Sequence, residues 1–268
     1  MKSYDNFGNI ALVKFKEKTS LKEKKKFAEK LLKEQKGVKT VLEKKERIKG
    51  RLRKLSTNYI LGEKTKEVLY KENGCIFRFN IDETYFSPRL SNERREIASK
   101  IKKGETVLVM FAGVAPYSIV IAKLSKAKII FSNEINRQAN KYAELNIRLN
   151  KLKDKIELVS GDAKKLSEKI CKKGRLSEGN RRCPRMDVIV MPRPQLKETF
   201  LGTAFQLSKK GTRVYYYDFC KDDEIDSVVE KIKKEAEKYK KKIKILNVKK
   251  AGELAPHKIR LRIDFQIV

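Results

Sequence analysis

From residue 105 to its end, the chain alternates short apolar runs of β character with amphipathic helical segments. The first five runs are TVLVMF, KIIFSNE, KIELVSGD, MDVIVMP and TRVYYYDF, which begin at residues 106, 128, 155, 186 and 212. Strands that alternate with helices form parallel sheets covered on both faces, and such strands are apolar throughout. Two further β-like runs, IKILNVKKA and KIRLRIDFQIV, follow each other directly. The pattern predicts an α/β fold with a mostly parallel, doubly wound sheet and an antiparallel edge.

The first 80 residues lack this alternation and predict a small α+β domain. Ser20 is placed to cap a helix that buries Phe27 on one face and presents lysines on the other. Short β-like runs surround this helix, and Asn73-Gly74 is a favourable hairpin turn between two of them. We therefore expect one domain over residues 1–80 and a second, larger domain over residues 81–268.

The charge of the chain points to a polyanionic partner. It has 66 Lys and Arg against 34 Asp and Glu, a formal net charge of +32, and such a surface attracts nucleic acid strongly at moderate salt. The alternative is that abundant lysine reflects only the host's codon usage or a hot habitat. The chain contains no apolar run long enough to cross a membrane and no signal peptide, so we expect a cytoplasmic protein without a membrane partner.

The cysteine and histidine content limits the metal sites, disulfides and kinds of catalysis that the chain can have. The four cysteines are far apart and form no CxxC pair, so we expect reduced thiols and neither a zinc site nor a disulfide framework. They are Cys75, Cys171, Cys183 and Cys220. His257 is the only histidine, which argues against Cys-His or Ser-His nucleophilic catalysis and against a metal site. Proton transfer must therefore fall to carboxylates, lysines or tyrosines.

Residues that follow the predicted strands are the candidates for a ligand site, because an open parallel sheet binds ligands beyond the carboxyl ends of its strands. Phe111 and Gly113 follow the first strand, Glu134 ends the second, Asp162 follows the third and Pro192 the fourth. An acid at the end of the second strand can accept both hydroxyls of a ribose. The alternative interpretation of both acids is that of solvated loop carboxylates.

Several segments together resemble one enzyme family. They are KENGCIFRFNIDETYFSPRLSNER, MFAGVAPYSI, NEIN, NIRLNKL, GDA, MPRP and LAPHKIRLRIDF. In this order they are similar to the archaeal and eukaryotic tRNA (guanine-N1)-methyltransferases. The resemblance implies a class I methyltransferase (Rossmann-like) domain, S-adenosyl-L-methionine as cofactor, and methylation of guanosine 37 on the 3′ side of the anticodon. It implies the tRNA anticodon arm as partner of a monomer, and we expect the family's N-terminal elbow-binding domain to be absent.

The resemblance also implies roles for individual residues. Glu93 matches the general base that removes the N1 proton, and Arg53 matches the arginine that stabilises charge on guanine O6. Arg89 and Tyr85 match residues that organise the target base and the cofactor methyl group, and Arg94 matches a cofactor contact. The remaining cofactor-binding positions are Phe111, Gly113, Glu134, Ile135, Asp162, Ala163 and Pro192.

Two alternatives stay open, and departures from the family pattern motivate the first of them. Val109 stands where the family usually has an acid, Ala115 where it has glycine, and Pro192-Arg193-Pro194 where it often has Asn-Leu-Pro. These changes favour a basic RNA-binding protein that has lost the reaction. The second alternative, which the resemblance implies because close relatives carry it out, is methylation of a wyosine-type tricyclic intermediate at the same nucleotide. For either activity, the lysine-rich face of the first helix and the segment 172–186 are predicted to bind phosphates.

Overall fold

The computed structural model describes residues 4–45, 55–173 and 183–268. Arg53 and most of the basic segment predicted to bind phosphates, residues 174–182, lie outside this part. Within the described ranges, none of the helices combines the length and apolar character that crossing a membrane requires.

The N-terminal region forms a four-stranded sheet with one helix, followed by a hairpin. The strands are β1 Tyr4–Asn6, β2 Ile10–Val13, β3 Thr40–Lys44 and β4 Thr57–Gly62, the hairpin is β5 Glu67–Glu72 and β6 Cys75–Asn80, and the helix is α1 Leu21–Glu34. The four-stranded sheet has the order β1-β2-β3-β4. Ser20 caps α1 through a capping box with Glu23, and Asn73-Gly74 turns the hairpin, so both predictions are confirmed.

The rest of the chain forms one large sheet with helices packed on it. Its strands are β7 Thr106–Val109, β8 Ile129–Glu134, β9 Ile156–Ser160, β10 Met186–Met191, β11 Ser208–Lys221, β12 Ile243–Ala255 and β13 Lys258–Ile267. The helices are α2 Ser91–Ser99, α3 Pro116–Leu124, α4 Arg137–Leu149, α5 Leu166–Lys173, α6 Leu201–Leu207 and α7 Ile225–Lys238.

The order of the seven strands is β12-β13-β11-β10-β7-β8-β9. The five strands from β7 to β11 run parallel, whereas β13 pairs antiparallel with both β11 and β12. The predicted α/β class, with its parallel sheet and antiparallel edge, is confirmed. Because β7 and β10 are neighbours but not consecutive in the chain, the crevice for a ligand opens at their carboxyl ends.

The hairpin is attached to both parts of the molecule. Asn146 on α4 and Asn150 just after it bind the backbone of β6, with side-chain oxygens accepting from the amides of Arg78 at 2.7 Å and Ile76 at 2.9 Å. On the other side, Asn9 accepts from the Leu69 amide at 2.7 Å. The exposed edge of β6 is thus satisfied by asparagine side chains, which fixes the N-terminal sheet beside the large one.

The prediction of four reduced cysteines is wrong for one pair. Cys171 near the end of α5 and Cys183 just before β10 form a disulfide, with Cα atoms 4.4 Å apart. They lie 12 residues apart in the chain, and their bond joins the end of α5 to the residues just before β10. Cys75 and Cys220 are free and buried.

We expect replacement of Cys171 and Cys183 by serine to lower the free energy of unfolding by about 2–3 kcal/mol, the loop-entropy value for a closed loop of this size. Denaturant unfolding of the two proteins, each with and without reductant, measures the difference. The reductant should destabilise the natural chain and leave the double variant unchanged. Equal stability of both proteins without reductant would contradict the expectation.

Candidate active site

A deep cavity lies at the carboxyl ends of β7, β8 and β10. Its non-atom space is about 1050 Å³, a figure that includes open solvent at the mouth. Eight of the twelve residues predicted from the sequence lie on its wall. They are Tyr85, Arg94, Phe111, Gly113, Glu134, Ile135, Ala163 and Pro192.

The loop between β7 and α3 forms one side of this cavity in a compact conformation. Phe111, Gly113 and Ala115 have φ angles of 56°, 58° and 65°, in the left-handed region that costs a residue with a side chain roughly 1–2 kcal/mol. A glycine at position 115 would not carry that strain. At Gly113, an added Cβ would lie 3.3 Å from the carbonyl oxygen of Tyr85. Val109 is fully buried and does not line the cavity, so an acid there is not required by this geometry.

Glu134 is the central polar group of the cavity. Its carboxylate accepts backbone N–H groups from Gly113 at 2.7 Å, Ile135 at 2.9 Å and Asn136 at 2.8 Å. Burial raises the pKa of Glu134, and these three hydrogen bonds offset part of the increase. Oε1 accepts two of these bonds and Oε2 accepts one, so Oε2 keeps a lone pair for a ligand donor. The carboxylate is therefore held in one orientation and is suited to accept a ligand hydroxyl through Oε2.

Arg94 forms part of the wall and is held by a buried ion pair. Its Nε and Nη2 donate to the two carboxylate oxygens of Glu72, both at 2.5 Å, and Nη2 also donates to the carbonyl oxygen of Ser87 at 3.0 Å. The two charged side chains are only 1% and 2% exposed. The guanidinium lies over the rings of Phe86 and Tyr117, at 5.0 and 5.9 Å. Arg94 thus ties the hairpin to α2.

Glu93 lies behind the cavity wall and not on it. Its Oε1 accepts from the hydroxyl of Tyr217 at 2.8 Å and from Arg262, and its Oε2 is 3.7 Å from the ammonium of Lys249. The residue is buried. Tyr217 lines the cavity, so the carboxylate contacts the cavity through this hydroxyl.

Arg262 connects Glu93 with a wider charge cluster. It donates to Glu96 at 2.7 Å and to Asp264 at 2.7 Å. Burial alone would raise the pKa of Glu96, but hydrogen bonds from Arg262 and Lys249 outweigh it and lower that pKa to about 2. Because its pKa is depressed on folding, Glu96 stabilises the fold above pH 4.5, and this contribution is lost as the pH falls toward 2.

Three predicted residues lie elsewhere. Arg89 lines an adjacent groove and pairs with Asp5 at 2.6 Å. Asp162 accepts from the Lys164 amide at 3.0 Å and caps a short helical turn, between the lining residues Gly161 and Ala163. Arg53 lies outside the described residues. The predicted roles of these residues stay predictions.

Several wall residues were not predicted. They include Tyr117, Asn136, Phe200, Tyr217 and Arg260. Asn136 could have been found, because it lies two residues after the end of a predicted strand, whereas Tyr217 lies inside one. Phe200 and Arg260 carry no such signal, since the folding of the loop after β10 and the pairing of β13 with β11 bring them to the cavity.

Comparisons with known proteins agree with this architecture. A sequence profile described as the TRM5/TYW2 methyltransferase domain matches residues 68–246, and one described as the TYW2 N-terminal domain matches residues 1–65. A tRNA (guanine(37)-N(1))-methyltransferase Trm5b from Pyrococcus abyssi is 32% identical, over 99% of this chain and 74% of that protein. The crystal structure of that protein superposes with a TM-score of 0.83.

Two further proteins are similar over nearly the whole chain. A tRNA (guanine(37)-N(1))/4-demethylwyosine(37)-methyltransferase Taw22 from Nanoarchaeum equitans is 32% identical, over 99% of this chain and 100% of that protein. A solved complex of aTrm5 with tRNALeu is 28% identical, over 99% of this chain and 72% of that one, with a TM-score of 0.83.

Proposed function

Because the chain belongs to the TRM5/TYW2 methyltransferase family, we propose that its cavity binds S-adenosylmethionine and that it methylates N1 of guanosine 37 in tRNA. The protein is thus a tRNA (guanine-37-N1)-methyltransferase. The observation that carries this proposal is Glu134, an acid at the end of the second parallel strand, held by three backbone N–H groups on the wall of the cavity.

The chemistry of the wall fits the cofactor. Glu134 can accept a ribose hydroxyl through Oε2, while Phe111, Ile135 and Ala163 supply apolar surface for a base. The loop at Gly113 carries no series of glycines, and none is needed because this cofactor has no phosphate to cradle. S-adenosylmethionine supplies an electrophilic methyl group on a sulfonium.

The reaction needs a base, because guanine N1 carries a proton at neutral pH and is a poor nucleophile. Glu93 is the carboxylate that we assign to remove this proton. Tyr217 and Arg262 hold its carboxylate in one orientation. Arg53, outside the described residues, is assigned to stabilise the charge that develops on O6. N1 is hidden when the base is stacked, so the guanosine must swing out to reach the cavity.

The tRNA partner accounts for the basic surface. Helix α1 packs Ala28 and Leu31 against the sheet and exposes Lys22, Lys25 and Lys26, as predicted for a phosphate-binding face. We assign this face to the anticodon arm, and we place the protein in the cytoplasm as a monomer. Binding through such contacts should weaken steeply as salt increases.

We expect the affinity for S-adenosylmethionine to depend on the ionisation of Glu134. The carboxylate accepts a ribose hydroxyl more strongly than the neutral acid does, and burial raises its pKa above 4.5. Affinity should therefore be full well above the raised pKa and fall as the pH is lowered through it. Glu134→Gln should weaken binding about tenfold to a hundredfold and remove the pH dependence. Calorimetric titration at several pH values measures both effects.

The matched control is Glu144→Gln, which removes a carboxylate from the exposed face of α4, where Glu144 pairs with Arg148. This variant should bind the cofactor like the natural chain at every pH. A Glu134→Gln protein with unchanged affinity and an unchanged pH profile would remove Glu134 from the site.

The proposed function is tested by methyl transfer from labelled S-adenosylmethionine to an unmodified tRNA transcript. We expect label on a transcript with guanosine at position 37 and none when that base is adenine. A protein that binds tRNA but transfers no label to any transcript would instead be the inactive RNA-binding descendant considered above.

A second substrate is favoured by the Nanoarchaeum equitans relative, whose name includes 4-demethylwyosine(37) methylation, and by the match of residues 1–65 to the TYW2 N-terminal domain. The candidate activity is methylation of this tricyclic base at the same nucleotide. Nucleoside mass spectrometry of tRNA carrying either base separates the two activities, because their products differ in mass. Product from the guanosine substrate alone would exclude the second activity.

A further inference from the structure

Arg193 is a fully buried charge beside the cavity. Its side chain is 0% exposed, and Nη1 donates to Oδ1 of Asp218 at 2.5 Å. Nη2 donates to the carbonyl oxygen of Leu196 at 2.5 Å and to that of Glu198 at 2.7 Å. The Nε–H is buried and has no partner among the described residues. Burying a guanidinium is costly even when it is paired, so this arrangement calls for an explanation.

Arg193 supports the loop that runs from residue 192 to residue 200. It joins β10 to α6 without forming a helix or strand. Pro192 and Pro194 carry no N–H and contribute no donor to the loop. The carbonyl oxygens of Leu196 and Glu198 receive donors from the guanidinium, which lies on the inner side of the loop. One side chain thereby holds the loop at two points.

The carboxylate that binds Arg193 is itself fixed in the sheet. Asp218 lies on β11, where its carboxylate accepts from the Phe219 amide at 2.8 Å and from the Tyr216 hydroxyl at 3.0 Å. The Arg193 guanidinium lies over the ring of Tyr216, 5.4 Å from its centroid. Arg193 therefore attaches the loop to β11, the strand that also carries Tyr217.

The loop separates two spaces. On one side, the cavity assigned to the cofactor is lined by Pro192, Pro194, Leu196 and Phe200, and also by Arg193, whose side chain is 0% exposed. On the other side, Leu196 also lines an outer groove, together with Asp218 and residues of α7. The position of the loop therefore sets the width of the cavity and whether its wall is closed.

We propose that Arg193 is a positioning residue for the cofactor: its bonds to Asp218, Leu196 and Glu198 hold the loop in the shape that closes the cavity wall. The inference rests on the proposed function and adds to it a residue that acts through the loop. A wall held in place before binding spares the ligand the entropy cost of ordering it. Without these bonds, S-adenosylmethionine would have to order the loop when it binds, and its affinity would be lower.

The test uses the full-length chain and three variants. Arg193→Leu removes the charge and every donor. Arg193→Lys keeps a charge beside Asp218 but lacks the fork that reaches two carbonyl oxygens at once. Lys197→Ala is the matched control, because it removes an exposed charge from the same loop and leaves the hydrogen bonds of Arg193 in place.

We expect Arg193→Leu to raise the Kd for S-adenosylmethionine roughly tenfold or more, with an equal rise in its KM. The kcat at saturating cofactor and the KM for tRNA should stay within about twofold, since within the described residues no hydrogen bond or ion pair joins the loop to Glu93 or to the lysines of α1. Arg193→Lys should give an intermediate Kd, and Lys197→Ala should equal the natural chain. This division between cofactor KM and kcat is not what a general loss of folding produces.

Calorimetry on the natural chain comes first, because it tests cofactor binding separately from the role of Arg193. If the natural chain does not bind S-adenosylmethionine, the proposed function fails. If it binds and both Arg193 variants bind equally well, only the role of Arg193 fails. If kcat, tRNA affinity and cofactor affinity all fall in step with thermal stability, the positioning role is also refuted. Should Arg193→Leu not fold, Arg193→Lys decides by the same criteria.

Discussion

Replacement of Glu93 by glutamine is expected to lower the rate of methyl transfer to guanosine 37 by about 10²–10⁴-fold, the usual contribution of a general base. Glutamine keeps the size of the side chain and can still accept from Tyr217 and Arg262, but it cannot take up a proton. The Kd for S-adenosylmethionine should change little, because Glu93 does not line the cavity. Single-turnover kinetics with saturating cofactor and tRNA measure the chemical step directly.

Glu96→Gln is the matched control for this experiment. Glu96 lies on the same helix and accepts from the same Arg262 at 2.7 Å, but it has no contact with Tyr217 among the described residues. If loss of rate followed from disturbing the charge cluster, both variants would be impaired alike. We expect only Glu93→Gln to lose activity, and comparable rates for the two variants would argue against Glu93 as the base.

Replacement of Arg94 by methionine is expected to destabilise the protein by about 3–5 kcal/mol, because it leaves the carboxylate of Glu72 buried without its cation. The pair is almost fully shielded from water, so solvent screening does not soften the loss. For a chain of this size the midpoint of thermal unfolding should fall by about 10 °C. Thermal and denaturant unfolding, followed by circular dichroism, give the two quantities.

Two variants define the cause of this loss. Arg95→Met removes a neighbouring arginine that is exposed and donates to Asn73 at 2.9 Å, so its effect should stay below about 0.5 kcal/mol. The double variant Arg94→Met, Glu72→Met removes both charges and should recover much of the stability. A double variant no more stable than Arg94→Met would show that the loss comes from packing and not from an unpaired charge.

Most elements of the fold were determined by local patterns in the sequence. The apolar runs from residue 106 onward specified strands buried on both faces, and the helices between them required those strands to be parallel. Ser20 and Asn73-Gly74 act on their nearest neighbours, so the helix start and the hairpin could be read directly. Glu134 could be placed for the same reason, since the end of a strand fixes which edge of the sheet its residues reach.

The pairings that complete the site were decided by the tertiary structure alone. Glu93 meets Arg262 across 169 residues of chain and Tyr217 across 124, and no local pattern relates such positions. The same holds for the ion pair between Arg94 and Glu72, the disulfide between Cys171 and Cys183, and the buried ion pair between Arg193 and Asp218. Periodicity fixes which face of an element is buried, but the partner of a buried charge depends on which strands become neighbours. That choice is made only when the whole sheet assembles.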